Sequence, residues 1–448
     1  MRTGRFHENS EPANSLRAAA LRCQAARIHD SSERGEQHVN DGSSSAVQPP
    51  PATHRNNPTT PSRTTNSPLE RPHPTQDAET PDGGVEAPLV LVDEALCAEW
   101  DELATRSGAA PFLRPGWIQA WMSAFEPRRA LHALTVRRGG ELAAILPVVR
   151  KGGSLHCPTN AETPVMGPVA LDTAALRPLI GSHVERHGLT LRFSPEDGDQ
   201  EALIGNARAR GLLVSVTPLR RSPCTSVQGN WEEFQERTLT ASRRRDLRRN
   251  ERRLAAAGEL RLTSHDVSQD LLTTLQRGLE LEAAGWKGDE GTAVLSRPAT
   301  TSFYRSASAW AASASLLRLY FLTLDGEPVA FSLNLEQNGT SYGVKTAYAP
   351  AHRAFGPGVL MLHRLIAEGF SRPEIHMLEH LGEDDPFKRE FSTGVRHQSC
   401  VRVFPRGARG RLQQQVDRGR LALTTELRRR TTPESRRTVQ RMLASVKR

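Results

Sequence analysis

The sequence predicts an α/β (α+β) protein: two consecutive domains with mixed central sheets, set between a disordered N-terminal arm and a basic helical tail. Three observations carry this. Sustained hydrophobic patterning begins only near Pro88. From there, short strand-like runs interleave with stretches of helical period, as in mixed α/β domains. Three glycine turns, Gly139-Gly140, Asp325-Gly326 and Asn338-Gly339, each separate two apolar runs and read as hairpins.

Residues 1–87 are rich in Pro, Ser, Thr, Asn, Arg and His. They cannot bury enough apolar surface to offset their ordering entropy, so a disordered arm is expected. The first domain is placed over 88–228. Leu89–Val92 reads as a strand, and Asp93 caps a helix that buries Leu96, Trp100 and Leu103. Pro115 suits the first turn of a second helix, on which Trp117, Trp121 and Phe125 form one stripe, assigned to the core. Strands follow at Leu131–Arg138, Glu141–Lys151 and Val165–Leu171. A helix over Ala174–His187, the strand Leu189–Phe193, a helix over Gln200–Arg210 and the strand Leu212–Thr217 complete this domain.

The second domain is placed over 229–405. Its arginine-rich segment Ser242–Ala257 reads as a helix with Ser242 as N-cap and Gly258 as its stop. Leu247 and Leu254 are its narrow contact stripe. The arginines suit either an electropositive wall for a phosphate-bearing ligand or a solvated face. A strand at Glu259–Ser264, helices over Val267–Gly285 and Thr300–Ala314, and a meander of three strands lead to Tyr342–Phe370. There a strand meets the turn Arg353-Ala354-Phe355-Gly356-Pro357-Gly358 and then a helix. Glycine lets backbone approach an anion closely, and a helix N-terminus offers unpaired N–H groups and partial positive charge. A strand over Glu374–Leu381, a short helix over Asp384–Phe391 and the strand Gln398–Phe404 close the domain.

The net charge of +9 is concentrated at one end: residues 405–448 hold thirteen Lys and Arg against Asp417, Glu426 and Glu434. This tail, 406–448, is expected to be helical and to make at most weak contact with RNA or an anionic surface. Only five lysines occur (Lys151, Lys287, Lys345, Lys388 and Lys447), in a chain that otherwise uses arginine for positive charge. The five cysteines, Cys23, Cys97, Cys157, Cys224 and Cys400, form no C-x-x-C pair, which argues against a disulfide framework or a cysteine zinc site. No apolar run reaches the ~18 residues of a membrane span, and LRAAALRCQAARI is broken by arginines. A cytoplasmic location is expected.

The R-x-x-G-x-G spacing of Arg353, Gly356 and Gly358 is similar to the pyrophosphate signature of GCN5-related (GNAT) acyltransferases. More widely, residues from about 243 to 396 resemble the GNAT-type domain of the CelD-type family, associated with bacterial cellulose and exopolysaccharide gene sets. The pieces that carry the resemblance are the arginine-rich helix, Glu282 with Gly285-Trp286-Lys287-Gly288, Gly291-Thr292-Ala293, and Phe303-Tyr304. Asp325-Gly326 with Val329-Ala330, the stretch Tyr342–Tyr348, Pro357-Gly358 and Gly382-Glu383-Asp384-Asp385-Pro386-Phe387-Lys388 complete it. The family's aspartate ahead of the last glycine is here Glu379 or displaced, and its tyrosine before the final lysine is Phe387.

The resemblance implies tandem GNAT-like domains, the first degenerate, and acyl transfer from acyl-CoA (acetyl-CoA) as co-substrate, with no metal. Arg353 and the backbone of Phe355, Gly356, Gly358 and Val359 would hold the cofactor, with Lys345 beside them. Glu282, Asp385 and Tyr348 are the candidates for the acceptor's proton. Trp286, Lys287 and Lys388 would face the acceptor, a small molecule or glycan precursor. The alternatives are a Fem-like transferase using aminoacyl-tRNA and a non-catalytic GNAT-fold binding protein.

His376-Met377-Leu378-Glu379-His380 also spells the H-x-x-E-H pattern of a zinc protease. That chemistry needs both histidines one turn apart on a helix. The alternation of Ile375 and Met377 predicts a strand, which would set the histidines about 13 Å apart.

Overall fold

The structure, a computed structural model, describes residues 86–265 and 270–430. The expected N-terminal arm therefore lies outside the described residues except for its last two, as does the end of the tail.

The first half of the described chain runs β1 (Leu89–Leu91), α1 (Glu94–Arg106), α2 (Pro115–Phe125), β2 (His132–Arg138), β3 (Glu141–Lys151), β4 (Ser154–His156) and β5 (Val169–Ala170). It continues with α3 (Ser182–His187), β6 (Leu189–Pro195), α4 (Gly198–Ala209) and β7 (Val214–Ser226). The second half opens with α5 (Trp231–Thr238), α6 (Ala241–Ala255), β8 (Leu260–His265), α7 (Leu271–Ala283), α8 (Trp286–Asp289) and α9 (Pro298–Ser313). The meander β9 (Leu317–Leu324), β10 (Glu327–Gln337) and β11 (Thr340–Tyr348) follows. Then come α10 (Pro357–Ser371), β12 (Met377–Glu379), α11 (Pro386–Arg389), β13 (Gly394–Val403) and the tail helix α12 (Ala408–Arg430).

All thirteen strands join one sheet, in the order β1-β2-β3-β4-β6-β13-β7-β12-β11-β10-β9-β8, with β5 beside β3. Read inwards from each edge, the two halves repeat one pattern. Antiparallel strands lead to a parallel pair, β4 with β6 in the first half and β11 with β12 in the second. A closing strand then crosses over: β13 pairs with β6, β7 pairs with β12, and β7 and β13 pair with each other along their length. Each half completes the other's sheet.

Local chemistry accounts for most element ends. Asp93, Asp197, Asn230 and Thr240 cap α1, α4, α5 and α6, each accepting a hydrogen bond from a first-turn N–H. The turns Gly139-Gly140, Asp325-Gly326 and Asn338-Gly339 all have positive φ at both central residues, as two-residue hairpins require. Trp117 and Trp121 are 2% exposed, and Trp117 meets Phe303 of α9 edge-on at 5.0 Å. A Cβ on Gly116 would lie 2.1 Å from the Trp310 ring, so α2 packs directly on α9. One core runs through both halves in this way, while a second gathers Phe234, Leu247, Leu254, Leu360, Met361 and Phe391. Burying a side chain such as Leu254 contributes about 2 kcal/mol.

Several expected elements differ. Thr240, not Ser242, caps α6, and Gly258 lies beyond the helix end. A Cβ on Gly258 would meet Asp325 Oδ2 at 2.1 Å, so close approach explains that glycine. Only Val169–Ala170 of the expected strand Val165–Leu171 pairs, against β3. The helix expected over Ala174–His187 is a 3-10 turn (Ala174–Leu179) followed by α3, because Pro178 interrupts it. β7 extends to Ser226 because β13 and β12 pair with it. His376 and His380 flank the short strand β12, as the alternation predicts.

Candidate functional site

The second half's parallel pair forms a wedge. β11 and β12 share only three rungs, Thr340↔Met377, Ser341↔Leu378 and Tyr342↔Glu379. Just beyond, the β10–β11 register shifts: Leu333 faces Lys345 but Asn334 faces Gly343, which leaves Val344 as an extra residue. Such a bulge bends its strand, and Gly343–Tyr348 leaves β12. On the other side β12 gives way to Leu381 and Gly382, both at positive φ. Lys388 Nζ stabilises that bend by donating to the Leu381 carbonyl at 2.8 Å.

The glycine turn closes the far end of β11. Pro350–Phe355 makes a short 3-10 helix, Gly356 adopts φ 62° and ψ 49°, and Pro357 begins α10, two residues earlier than the expected start near Val359. An L-side chain would be strained at Gly356. Gly356 N–H donates to the Arg353 carbonyl and Val359 N–H to the Gly356 carbonyl, each at 3.0 Å. Gly358, second in α10, carries an N–H that these turn bonds leave over. Tyr348 lies against it, since a Cβ on Gly358 would sit 3.2 Å from the Tyr348 ring. The Arg353 side chain is exposed, and Arg253 of α6 lies over the Phe355 ring at 5.2 Å.

Among the other candidates, Glu282 pairs with Lys287 and Asp385 with Lys388. Glu282 is 3% exposed, and both its oxygens are occupied: Oε1 accepts from Lys287 Nζ at 2.8 Å and Oε2 from Val294 N–H at 2.9 Å. Lys287 also donates to the Thr346 carbonyl of β11 at 3.1 Å. Lys345 Nζ lies 3.0 Å from Glu162 Oε2 and 4.9 Å from the Tyr304 ring centre. Asp385 precedes α11, half-exposed, with Oδ2 3.7 Å from Lys388 Nζ. Burial lowers the Lys388 pKa, and Lys287 and Arg220 add to this against the pull of Asp385. Trp286 is 57% exposed.

Glu162 and Tyr304 are the residues that sequence reasoning did not place. Glu162 comes from the loop after β4 in the first half, where Asn160 Oδ1 accepts from its N–H at 2.9 Å and from Trp121 Nε1 at 3.0 Å. Tyr304 donates to Glu162 Oε2 at 3.0 Å. Burial opposes ionisation of Glu162, but Lys345, the Tyr304 hydroxyl and Arg297 outweigh it and hold the carboxyl below its usual range. Burial, with Glu162 alongside, pushes the Tyr304 hydroxyl well up. No local motif marks Glu162; Tyr304 was legible only as part of Phe303-Tyr304. A cavity of about 410 Å³ between β1 and α1, lined by Val90, Leu91, Leu96 and Val136, contains none of these residues.

Residues 241–389, which span α6 to α11, match the family described as the acetyltransferase (GNAT) domain. No curated protein matches the chain in sequence. Among solved structures, FemX is similar at 12% identity over 69% of this chain and 96% of its own, with a TM-score of 0.48. A conserved protein of unknown function from Bacteroides thetaiotaomicron is similar at 14% identity, 71% and 99% coverage and 0.47. A tandem GNAT protein from the clavulanic acid biosynthesis pathway gives 14%, 71% and 98%, and 0.38. Among the described residues, no helix is long and apolar enough to cross a membrane.

Proposed function

We propose that the protein is an acyltransferase that draws its acyl group from an acyl-CoA and passes it to a nitrogen or oxygen of a small molecule or glycan precursor. One observation carries the reading: an open parallel-strand wedge whose bulged strand runs into the Arg353–Gly358 turn at the head of α10. The pyrophosphate would lie against the turn, held by Gly358 N–H, the Arg353 guanidinium and the start of α10. Gly356 and Val359 would contribute backbone groups now used within the turn. The pantetheine arm would enter between β11 and the chain beyond β12, replacing the missing strand neighbour of Gly343–Ala347.

There a backbone N–H of the bulge would polarise the thioester carbonyl. The acceptor's nitrogen or oxygen attacks that carbon and a new C–N or C–O bond forms. The C–S bond breaks, and the acceptor's proton leaves by way of a base while CoA departs as its thiol. Asp385 and Tyr348 are the candidate bases that retain exposure, whereas Glu282 holds Lys287 and the α8 turn in place. Lys287 and Lys388 supply positive charge to the acceptor side, beside Trp286. The likeness to the CelD-type family makes glycan precursors the first acceptors to test.

Titration calorimetry with acetyl-CoA tests the donor. Micromolar binding that Gly356→Glu abolishes supports the reading; no binding to the folded wild type would sink it. A second reading, an aminoacyl-tRNA donor, is favoured by the exposed Arg245, Arg248 and Arg252 of α6, which have no carboxylate partner among the described residues. It requires tRNA binding that weakens steeply with salt in place of acetyl-CoA binding.

A further inference from the structure

Most polar groups on the inner side of α6 have structural partners. Arg243 pairs with Glu390 at 2.6 Å, Glu251 pairs with Arg364 of α10, and Arg244 donates to the Gln235, Glu236 and Leu239 carbonyls at the end of α5. With Leu247 and Leu254 buried, these contacts fix the helix's rotation. One flank is then turned to the glycine turn and left unspent. Arg253 sits on that flank over Phe355, and Asn250 Nδ2 lies 4.0 Å from where a Cβ on Gly356 would be. Arg249, one turn before Arg253, is on the same flank.

The chemistry of that flank is specific. Arg253 is exposed and has no carboxylate partner among the described residues; its only partner there is an aromatic face. Arg249 meets only Asp246, three residues away at 2.9 Å, in a pair that is 61% and 40% exposed. Exposed pairs of this kind are worth little and yield readily to a stronger anion. The Asn250 side chain makes no hydrogen bond among the described residues. Two guanidinium forks and an amide donor within one helical turn suit a phosphate dianion, which arginine can hold bidentately. They lie beside the backbone turn, so they serve a phosphate other than the one against Gly358.

We infer that Arg253, Arg249 and Asn250 form a seat for the ribose 3′-phosphate of the CoA carrier. This rests on reading the Gly356–Gly358 turn as the pyrophosphate site. The seat makes the enzyme selective for CoA thioesters over carriers that end in pantetheine or lack that one phosphate.

The test is calorimetry with CoA and 3′-dephospho-CoA on the full chain. The wild type should bind CoA about 10-fold more tightly, the scale of a charge-assisted contact. The double variant Arg249→Ala/Arg253→Ala should bring that ratio near one while leaving the 3′-dephospho-CoA affinity unchanged. Arg248→Ala, around the helix, should keep the wild-type ratio and shows that general charge is not responsible. Equal wild-type affinities would overturn the seat while leaving the donor reading standing. So would a double variant that weakens both ligands alike or preserves the ratio. If neither ligand binds the folded wild type, the donor reading falls and takes the seat with it.

Discussion

The first half's parallel pair, β4 with β6, and the second half's, β11 with β12, occupy matching places in the sheet, yet only the second is open. After β4 the chain stays with β6: Cys157 N–H donates to the Thr190 carbonyl at 2.9 Å, and Met166, fully buried, donates to the Phe193 carbonyl at 3.0 Å. The space that β11 leaves beside β12 is filled here by the chain's own backbone. Each half still carries a non-glycine residue at positive φ at the matching bend, Phe193 in β6 and Leu381 past β12. The helices differ as well. α10 has 15 residues and begins at a left-handed glycine, whereas α3 has six and begins at Gly181 with φ −112°. The comparison separates two versions of one strand pattern: in the first the gap is filled by the chain's own backbone, and the loop that fills it brings Glu162 to Lys345 of the other half.

The largest effect should come from the turn itself. Gly356→Glu places a β-carbon at a left-handed position and a carboxylate where an anion is expected, so acetyl-CoA affinity should fall at least ~100-fold. Gly181→Ala, at the matching helix of the first half, should leave that affinity within about 2-fold. Calorimetry on both variants decides it. Equal losses would mean that the halves are not functionally distinct.

Next is Glu162→Ala, which removes the first half's link to the second. Lys345 would keep only the Tyr304 ring, and the half-buried Lys345 and buried Tyr304 would both lose their carboxylate, at a cost of about 1–3 kcal/mol. Denaturant unfolding should show this at pH 7. Because the folded pKa of Glu162 is depressed, its contribution is present above the usual carboxylate range and is lost as pH falls through the folded value. The wild type and Glu162→Ala should therefore draw together in stability as pH falls below the usual carboxylate range. A difference that persists there would assign the loss to packing.

What could be read in the sequence was local. Asp325-Gly326, Asn338-Gly339 and the Asp93 cap are short-range chemistry and sit as expected. The Arg353–Gly358 turn is short-range chemistry too, although its helix starts two residues early, at Pro357. Sequence alone could not reveal the exchange of β7 and β13, because strand order depends on pairings between segments far apart in the chain. The Glu162–Lys345 contact spans 183 residues and leaves no mark near either one. The expected helix Asp384–Phe391 shrank to Pro386–Arg389 because Lys388 and Arg389 turn back on Leu381 and Asp384.

A third prediction probes the seam where the first half's β7 completes the second half's sheet. His380 is buried, and burial, with Lys388 nearby, lowers its pKa to about 3. Thr225 Oγ1 donates to the Phe391 carbonyl at 2.8 Å and therefore accepts from His380 Nε2 at 2.7 Å, which requires the proton on Nε2 of a neutral ring. Below pH ~6.5 the unfolded chain gains a proton that the folded chain refuses, so stability falls as pH drops from 6.5 towards 3. Between pH 7 and 5 this one group should cost about 2 kcal/mol. His380→Gln should remove that slope, even if it lowers stability at pH 7. An unchanged slope would mean that other groups titrate in its place.

The smallest expected effect bears on how closely α10 and β11 must meet for the second wedge to work. At Gly358 the backbone is ordinary helix, so alanine meets no strain in φ and even gains helix propensity of up to about 1 kcal/mol. Its Cβ, however, would sit 3.2 Å from the Tyr348 ring, which must shift by a few tenths of an ångström. That displacement moves the end of β11 away from the turn whose N–H is proposed to meet the pyrophosphate. Gly358→Ala should therefore leave Tm within about 2 °C of wild type and weaken acetyl-CoA binding by about 3- to 10-fold. Tyr348→Ala in the same background, which clears the space, should restore part of that affinity. If the pair shows no such recovery, contact between Tyr348 and the helix is not what sets the wedge, and the opening depends on the bulge at Val344 alone.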